Sequence, residues 1–247
     1  MNRELIRYVK QRTPFMRLKI AAFLTLAAVF WLPQIQAGVN VGSTRVIYQS
    51  KDKEANLSLS NSGDDGVPYL VQSWVSTFDK PDESADEFII TPPLFRLDAN
   101  SQNILRVIAT NAQNLPTDKE SLFFLNVKAI PALSEEQRNQ NVLQIALKTT
   151  IKLLYRPADL KGTLVQAVDG LQWRADGGNL SVHNPSGYNV VVSELLINNS
   201  ASKGMPEVIK PGSSVTTNIP LKNSDTLEFS YINEYGSTVK ATPVLAR

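Results

Sequence analysis

From Gly38 onward the chain is a succession of short runs rich in Val, Ile, Leu, Tyr, Thr and Trp, broken by turn residues at intervals of roughly 8–12. The runs fall at Thr44–Tyr48, Asn56–Ser60, Tyr69–Thr77, Ile104–Ala109, Leu122–Ile130 and Val142–Tyr155. They continue at Leu180–His183, Val190–Ile197, Ser214–Ile219, Leu227–Ile232 and Thr238–Ala241. Between them stand Asn61-Ser62-Gly63-Asp64-Asp65-Gly66, Asp176-Gly177-Gly178-Asn179, Lys210-Pro211-Gly212 and Tyr235-Gly236. Glycine supplies positive φ there, and Asn and Asp bond their own backbone, so each cluster is a turn with a mechanism. No amphipathic helical stretch exceeds about two turns, and Asn114–Glu120 is expected to form one short helical turn. Runs this short bury their apolar faces by stacking antiparallel sheets, so the expected fold class is all-β.

What precedes Gly38 has a different character. Arg3, Arg7, Lys10, Arg12, Arg17 and Lys19 stand before an uncharged apolar run from Ile20 to Leu32, followed by Pro33 and by a small residue at Ala37. That order is a secretory signal peptide over residues 1–37. The apolar run is 13 residues long, against the roughly 20 a membrane-spanning helix needs. Met16, just before Arg17-Leu18-Lys19, offers an internal start that leaves a leader of ordinary length. The leader holds six of the 25 Lys and Arg residues and one of the 23 acids, which leaves 19 against 22, a formal charge of −3. No basic face remains to suggest nucleic acid. The chain has no cysteine, so an exported fold has to stand on its core rather than on disulfides, and thiol chemistry is excluded. Arg156-Pro157 marks a boundary, because proline donates nothing to a ladder and its predecessor is held extended. It divides the remainder into residues 38–156 and 157–247, each the size of one immunoglobulin-like sandwich.

Val142–Tyr155 is the run that does not fit such a sandwich. It has 14 residues without Gly or Pro, which as a strand would span ~46 Å. One parity reads Leu143, Ile145, Leu147, Thr149, Ile151, Leu153 and Tyr155, a single apolar face. Typical strands have roughly 5–6 residues, so part of this face is expected to lie outside its own core. Two readings stay open: a half-buried strand that bends or changes sheets, and an edge strand offered to a partner. Edges of that kind are normally blunted, because unpaired N–H and C=O groups recruit other chains. They also open the free protein to self-association. Burying Leu143, Ile145 and Leu147 in a partner is worth roughly 5–9 kcal/mol before association costs.

The chain resembles the periplasmic chaperones of the chaperone–usher pathway, which fold pilus subunits. Its landmarks are Thr44-Arg45-Val46-Ile47-Tyr48, Leu70-Val71-Gln72-Ser73-Trp74-Val75, Thr91-Pro92-Pro93-Leu94-Phe95-Arg96-Leu97 and Leu115-Pro116. To these add Glu120-Ser121-Leu122-Phe123-Phe124-Leu125-Asn126-Val127, Ile151-Lys152-Leu153-Leu154-Tyr155-Arg156-Pro157, Asn184-Pro185 with Tyr188, and Ile232-Asn233-Glu234-Tyr235-Gly236. Each piece is weak alone; eight in order behind a leader are specific. The resemblance implies two immunoglobulin-like β-sandwich domains in a boomerang arrangement. It also implies donor-strand complementation, a form of β-strand addition. The partners would be pilus subunits with incomplete sandwiches, adhesin included, and an outer-membrane usher.

Carried over by position, Leu143, Ile145 and Leu147 match the alternating donor side chains. Arg45 and Lys152 match two cleft cations that hold the subunit's terminal carboxylate, for which charge-assisted donors are the physical requirement. Lys152 has the opposite parity to the three donor residues, a geometric difficulty that sequence does not resolve. Glu120, Arg156 and Glu234 match an interdomain ion network, in which the family usually has Asp at the place of Glu234. The short Ser134–Asn141 loop resembles the subgroup with a short loop before the donor strand. An immunoglobulin-like structural or adhesin component of a surface fibre is the alternative, but such subunits lack their last strand and often carry a cysteine pair. No cofactor, metal or ATP site is expected, since no phosphate-cradling glycine loop is present. His183 is the one histidine, Asp64-Asp65 and Glu135-Glu136 sit in turns, and no Ser–His–carboxylate set assembles, so the chain is not expected to be an enzyme.

Overall fold

The computed structural model describes residues 38–63, 66–133, 135 and 140–246. The leader read at residues 1–37, the Asp64-Asp65 pair, Glu136 and much of the 134–141 loop lie outside the described residues. Among the described residues, nine strands form the first sandwich: β1 (Val39–Val41), β2 (Arg45–Gln49), β3 (Ala55–Asn61), β4 (Tyr69–Thr77), β5 (Phe88–Thr91), β6 (Leu94–Leu97), β7 (Ser101–Ala109), β8 (Ser121–Pro131) and β9 (Leu147–Arg156). One sheet has the order β1-β3-β7-β5 and the other β2-β9-β8-β4-β6. Strand alternation sends Leu57, Leu59, Val71, Leu105, Val107, Leu125 and Leu153 between the two sheets, where each is essentially sealed from water. Tyr48, Phe88, Phe123 and Tyr155 close one end with edge-on and stacked ring contacts.

The second sandwich begins with α1 (Leu164–Asp169) and continues with β10 (Gln172–Asp176), β11 (Asn179–His183), β12 (Val190–Ile197), β13 (Ser200–Ala201), β14 (Val208–Ile209), β15 (Ser214–Pro220), β16 (Thr226–Ile232), β17 (Thr238–Lys240) and β18 (Val244–Leu245). A three-stranded sheet, β10-β11-β15, faces one built on β13-β12-β16-β17, with β14 on β12 and β18 on β16. Trp173 packs on Phe229 in its core, beside Leu180, Leu195, Ile209 and Leu227. Two immunoglobulin-like sandwiches in an almost entirely β chain agree with the fold class read from the runs.

Two expectations are corrected. The strand expected over Val142–Tyr155 is Leu147–Arg156. Its ladder to β8 ends at the pair Ala129–Leu147. Two residues further along β8 stands Pro131, which has no N–H to offer, and its carbonyl accepts from the Gln144 side chain (2.5 Å) instead. Leu143 and Ile145 therefore belong to the segment leading into β9, not to the strand. The helical turn expected at Asn114–Glu120 is a single 3₁₀ turn at Ala112–Asn114, because Leu115 is extended ahead of Pro116. Helix α1 went unread. Its signal is short: Thr163 caps the N–H of Gln166, and Leu164, Ala167 and Val168 form the one buried face.

Candidate strand-binding edge and cation pair

β9 has two environments. From Lys152 to Tyr155 it lies between β8 and the parallel strand β2, but from Leu147 to Ile151 β8 alone pairs with it among the described residues. The cause lies upstream. β1 pairs with β3 in the opposite sheet, and the chain crosses over at Gly42-Ser43-Thr44, where the Gly42 N–H bonds the Ser58 carbonyl at 2.9 Å. It reaches β9 only at Arg45. One flank of Leu147–Ile151 consequently has no strand partner among the described residues. Leu147 shares the face of Ile151 and Leu153, which enter the first core. Leu147 is itself 60% exposed, and Leu143 and Ile145 are 87% and 61% exposed. The apolar face outruns the core it was built on.

Arg45 and Lys152 are register partners across β2 and β9, at the first pair of that ladder. Their neighbours Val46 and Leu153 point into the first core, so alternation turns both cations to the other face. The cations and the apolar residues lie on opposite faces of the same strand, as their opposite parities in the sequence require. On the cation face the Arg45 Nη1 reaches the Ile232 carbonyl of the second sandwich at 3.4 Å, while its buried Nε has no partner among the described residues. Burial pushes the Arg45 pKa down, with the charge of Glu120 opposing it. Lys152 pairs with Glu207, which stands just before β14. Further along the same face Lys148 lies over the Trp74 ring at 5.3 Å, and Thr150 donates to Asn126, which in turn donates to Ser76, both at 2.9 Å. These contacts hold the open half of β9 in line.

Glu120, Arg156 and Glu234 are also brought together. Arg156 Nε donates to Glu120 Oε1 at 2.7 Å, and its Nη1 donates to Glu234. The second Glu120 oxygen accepts the Asn189 N–H at 2.8 Å and the Asn189 side chain at 3.4 Å. Burial alone would lower the Arg156 pKa, but Glu120 and Glu234 outweigh it and raise it. Burial pushes the Glu120 carboxyl up, against the pull of Arg156 and Asn189; with both oxygens met by donors, the geometry is that of a charged pair. The sequence builds the second-sandwich half of this cluster locally. The fully buried Asn184 donates to the carbonyls of Tyr188 and Ile209 and accepts from the Ser186 N–H, which folds Asn184–Tyr188 into a tight loop. That loop lays the Tyr188 ring 5.0 Å from the Arg156 guanidinium and aims the N–H of Asn189 at Glu120.

Asn189 and Glu207 lie outside every motif read from the sequence, and Asn126 and Trp74 enter it only as members of longer landmark runs, with no role of their own. Each acts by its register or loop position, for which composition carries no signal. Among the described residues, the His183 Nδ1 lies 3.1 Å from the Ser213 carbonyl and 2.9 Å from the Ser214 hydroxyl. No group of three metal-ligating acid or histidine side chains occurs among the described residues. A cavity of about 660 Å³ in the second sandwich, lined by Asp169, Leu171, Trp173, Arg174 and Val244, brings together no nucleophile and base.

The chain thus presents two sandwiches and a half-open edge strand that ends on two cations. Residues 38–161 match the family described as pili and flagellar-assembly chaperone, PapD N-terminal domain, and residues 166–243 match the PapD pili assembly chaperone C-terminal domain. Chaperone protein FocC of Escherichia coli is 39% identical over 221 residues, covering 88% of this chain and 93% of FocC. FimC of Escherichia coli K12 is 36% identical over 228 residues, covering 92% of each. Among solved structures, the SafB chaperone of Salmonella enterica in complex with the SafA pilin superposes with a TM-score of 0.73 at 31% identity, covering 86% of this chain and 97% of that one. The chain belongs to the pilus-assembly chaperone family.

Proposed function

We propose that this protein is a periplasmic chaperone that binds, folds and caps pilus subunits by donor-strand complementation and delivers them to an outer-membrane usher. The observation that carries the reading is the half-open β9. A strand added along Leu147–Ile151 occupies the same row of the sheet as β2, and it ends where β2 begins, at Arg45 and Lys152. A chain terminus there presents its carboxylate to the underused Arg45 guanidinium and to the Lys152 ammonium, with charge-assisted bonds worth roughly 1.5–3 kcal/mol each. Leu147, with Ile145 and Leu143 ahead of it, then completes the core of a subunit that lacks a strand.

In this reading residues 1–37 are the export leader, 38–156 the strand-lending domain and 157–247 the second domain. Glu120, Arg156 and Glu234 tie the two together, and the short Ser134–Asn141 loop supports membership of the short-loop subgroup. The protein works by binding alone, with no catalysis and no cofactor. The experiment is periplasmic co-expression of Arg45→Ala or Lys152→Ala with the pilus subunits encoded beside the gene. The variants are expected to remain folded and to lose the subunit in pulldown; undiminished capture would remove the anchor.

A further inference from the structure

The pair between Lys152 and Glu207 is lopsided. The Lys152 side chain is 13% exposed, whereas the Glu207 carboxylate is 63% exposed and lies at the end of a chain that can swing into water. The segment that carries it is nonetheless held from both sides. Val208 and Ile209 follow immediately, buried in β14 against β12. Lys210 then reaches back to the first sandwich, pairing with Asp79 and lying 5.5 Å over the Phe78 ring. Phe78 packs on Phe124, which is the β8 register partner of Lys152. Glu207 is thus delivered to Lys152 by a backbone with little freedom, and only its own torsions are needed to withdraw it.

From this arrangement we infer that Glu207 is an internal stand-in for the client's terminal carboxylate, a self-cap that occupies Lys152 while the chaperone is empty. The inference rests on the anchor reading of Lys152 above. Its chemistry is an exchange of one carboxylate for another. An arriving terminus displaces Glu207 into solvent, where the side chain is already largely exposed, and Lys152 keeps one anionic partner throughout. Departure of the client reverses the exchange, so the half-buried ammonium is never left bare, the situation that makes breaking a buried pair costly. Arg45 differs: its buried Nε waits without a partner among the described residues. The two cations therefore contribute differently, Arg45 by a new interaction and Lys152 by a swapped one.

The test uses the mature protein and a strand peptide of alternating Val and Thr ending in a free carboxylate, beside its C-terminal amide twin, with binding followed by calorimetry. Glu207→Gln keeps size and hydrogen bonding but removes the competing charge, and at an exposed position its thermal midpoint should match the wild type. It is expected to bind the carboxylate peptide about two- to fivefold more tightly and the amide peptide unchanged. Lys210→Ala, which loosens the same segment, is expected to shift binding in the same direction by less. Unchanged or weaker binding by Glu207→Gln, with Lys152→Ala still impaired, overturns the self-cap and leaves the anchor standing. Equal binding by wild type and Lys152→Ala overturns the anchor and the self-cap together.

Discussion

At the scale of single residues, the Arg156 guanidinium links Glu120 of the first sandwich to Glu234 of the second. Arg156 is the partner that makes burial of Glu120 tolerable, since the Glu120 side chain is 1% exposed and its other oxygen is committed to Asn189. Removing one member of a buried pair costs about 3–5 kcal/mol, because the survivor is left charged and dry. Arg156→Ala is expected to lower the urea midpoint accordingly. The double variant with Glu120→Ala should lose clearly less than the sum of the two single changes, since each deletion orphans the other group. Additive losses would mean that the contact is incidental. Arg45, Lys152, Glu120, Arg156 and Glu234 were legible in the sequence through the family resemblance, and of these Arg45 and Lys152 also stood out as charges inside apolar runs. Asn189 and Glu207 were not, because their roles depend on a loop and a crossing that bring distant segments together.

At the scale of the element, β9 is an interior strand at one end and an edge at the other, and the change falls where β2 begins. Its alternation was legible from Val142 to Tyr155, but its N-terminal limit was not. Period-2 patterning reports which residues share a face; a ladder also needs a partner with an N–H to give, and Pro131 stops it. Tyr69–Thr77, with its alternation, and Val190–Ile197, with its apolar β-branched start, were read to the residue. Short ones such as β1, β13 and β18 exist only through pairing that sequence does not display. The exposed approach to β9 gives a clean separation of stability from function. Ile145→Asp alters a residue that touches little of its own core, so the thermal midpoint should stay within the small range of surface changes. The same charge would enter the client's core, where burying it unpaired is prohibitive. Subunits co-expressed with Ile145→Asp should be digested by protease; continued protection would show that the donor residues lie elsewhere.

At the scale of the whole molecule, the two sandwiches meet closely enough that small residues are required. A Cβ on Gly187 would stand 2.8 Å from the Asp118 carbonyl, and Gly187 itself accepts the Glu120 N–H at 2.8 Å. Gly236, at φ +85°, comes so near Thr44 that a Cβ would fall 2.3 Å from its hydroxyl. This seam sets the second sandwich beside the cation pair, through the Ile232 carbonyl at Arg45 and Glu207 at Lys152. In the proposed function, one molecule thereby joins a lent strand to a fixed endpoint. Amide hydrogen exchange across Leu143–Ile151 tests that union most directly, compared between the free protein and its co-purified subunit complex. Strong protection of Leu147–Ile151 on binding, with little change in β3 and β7 of the opposite sheet, is the predicted result. A complex in which Leu147–Ile151 exchanges as fast as in the free protein would contradict the account.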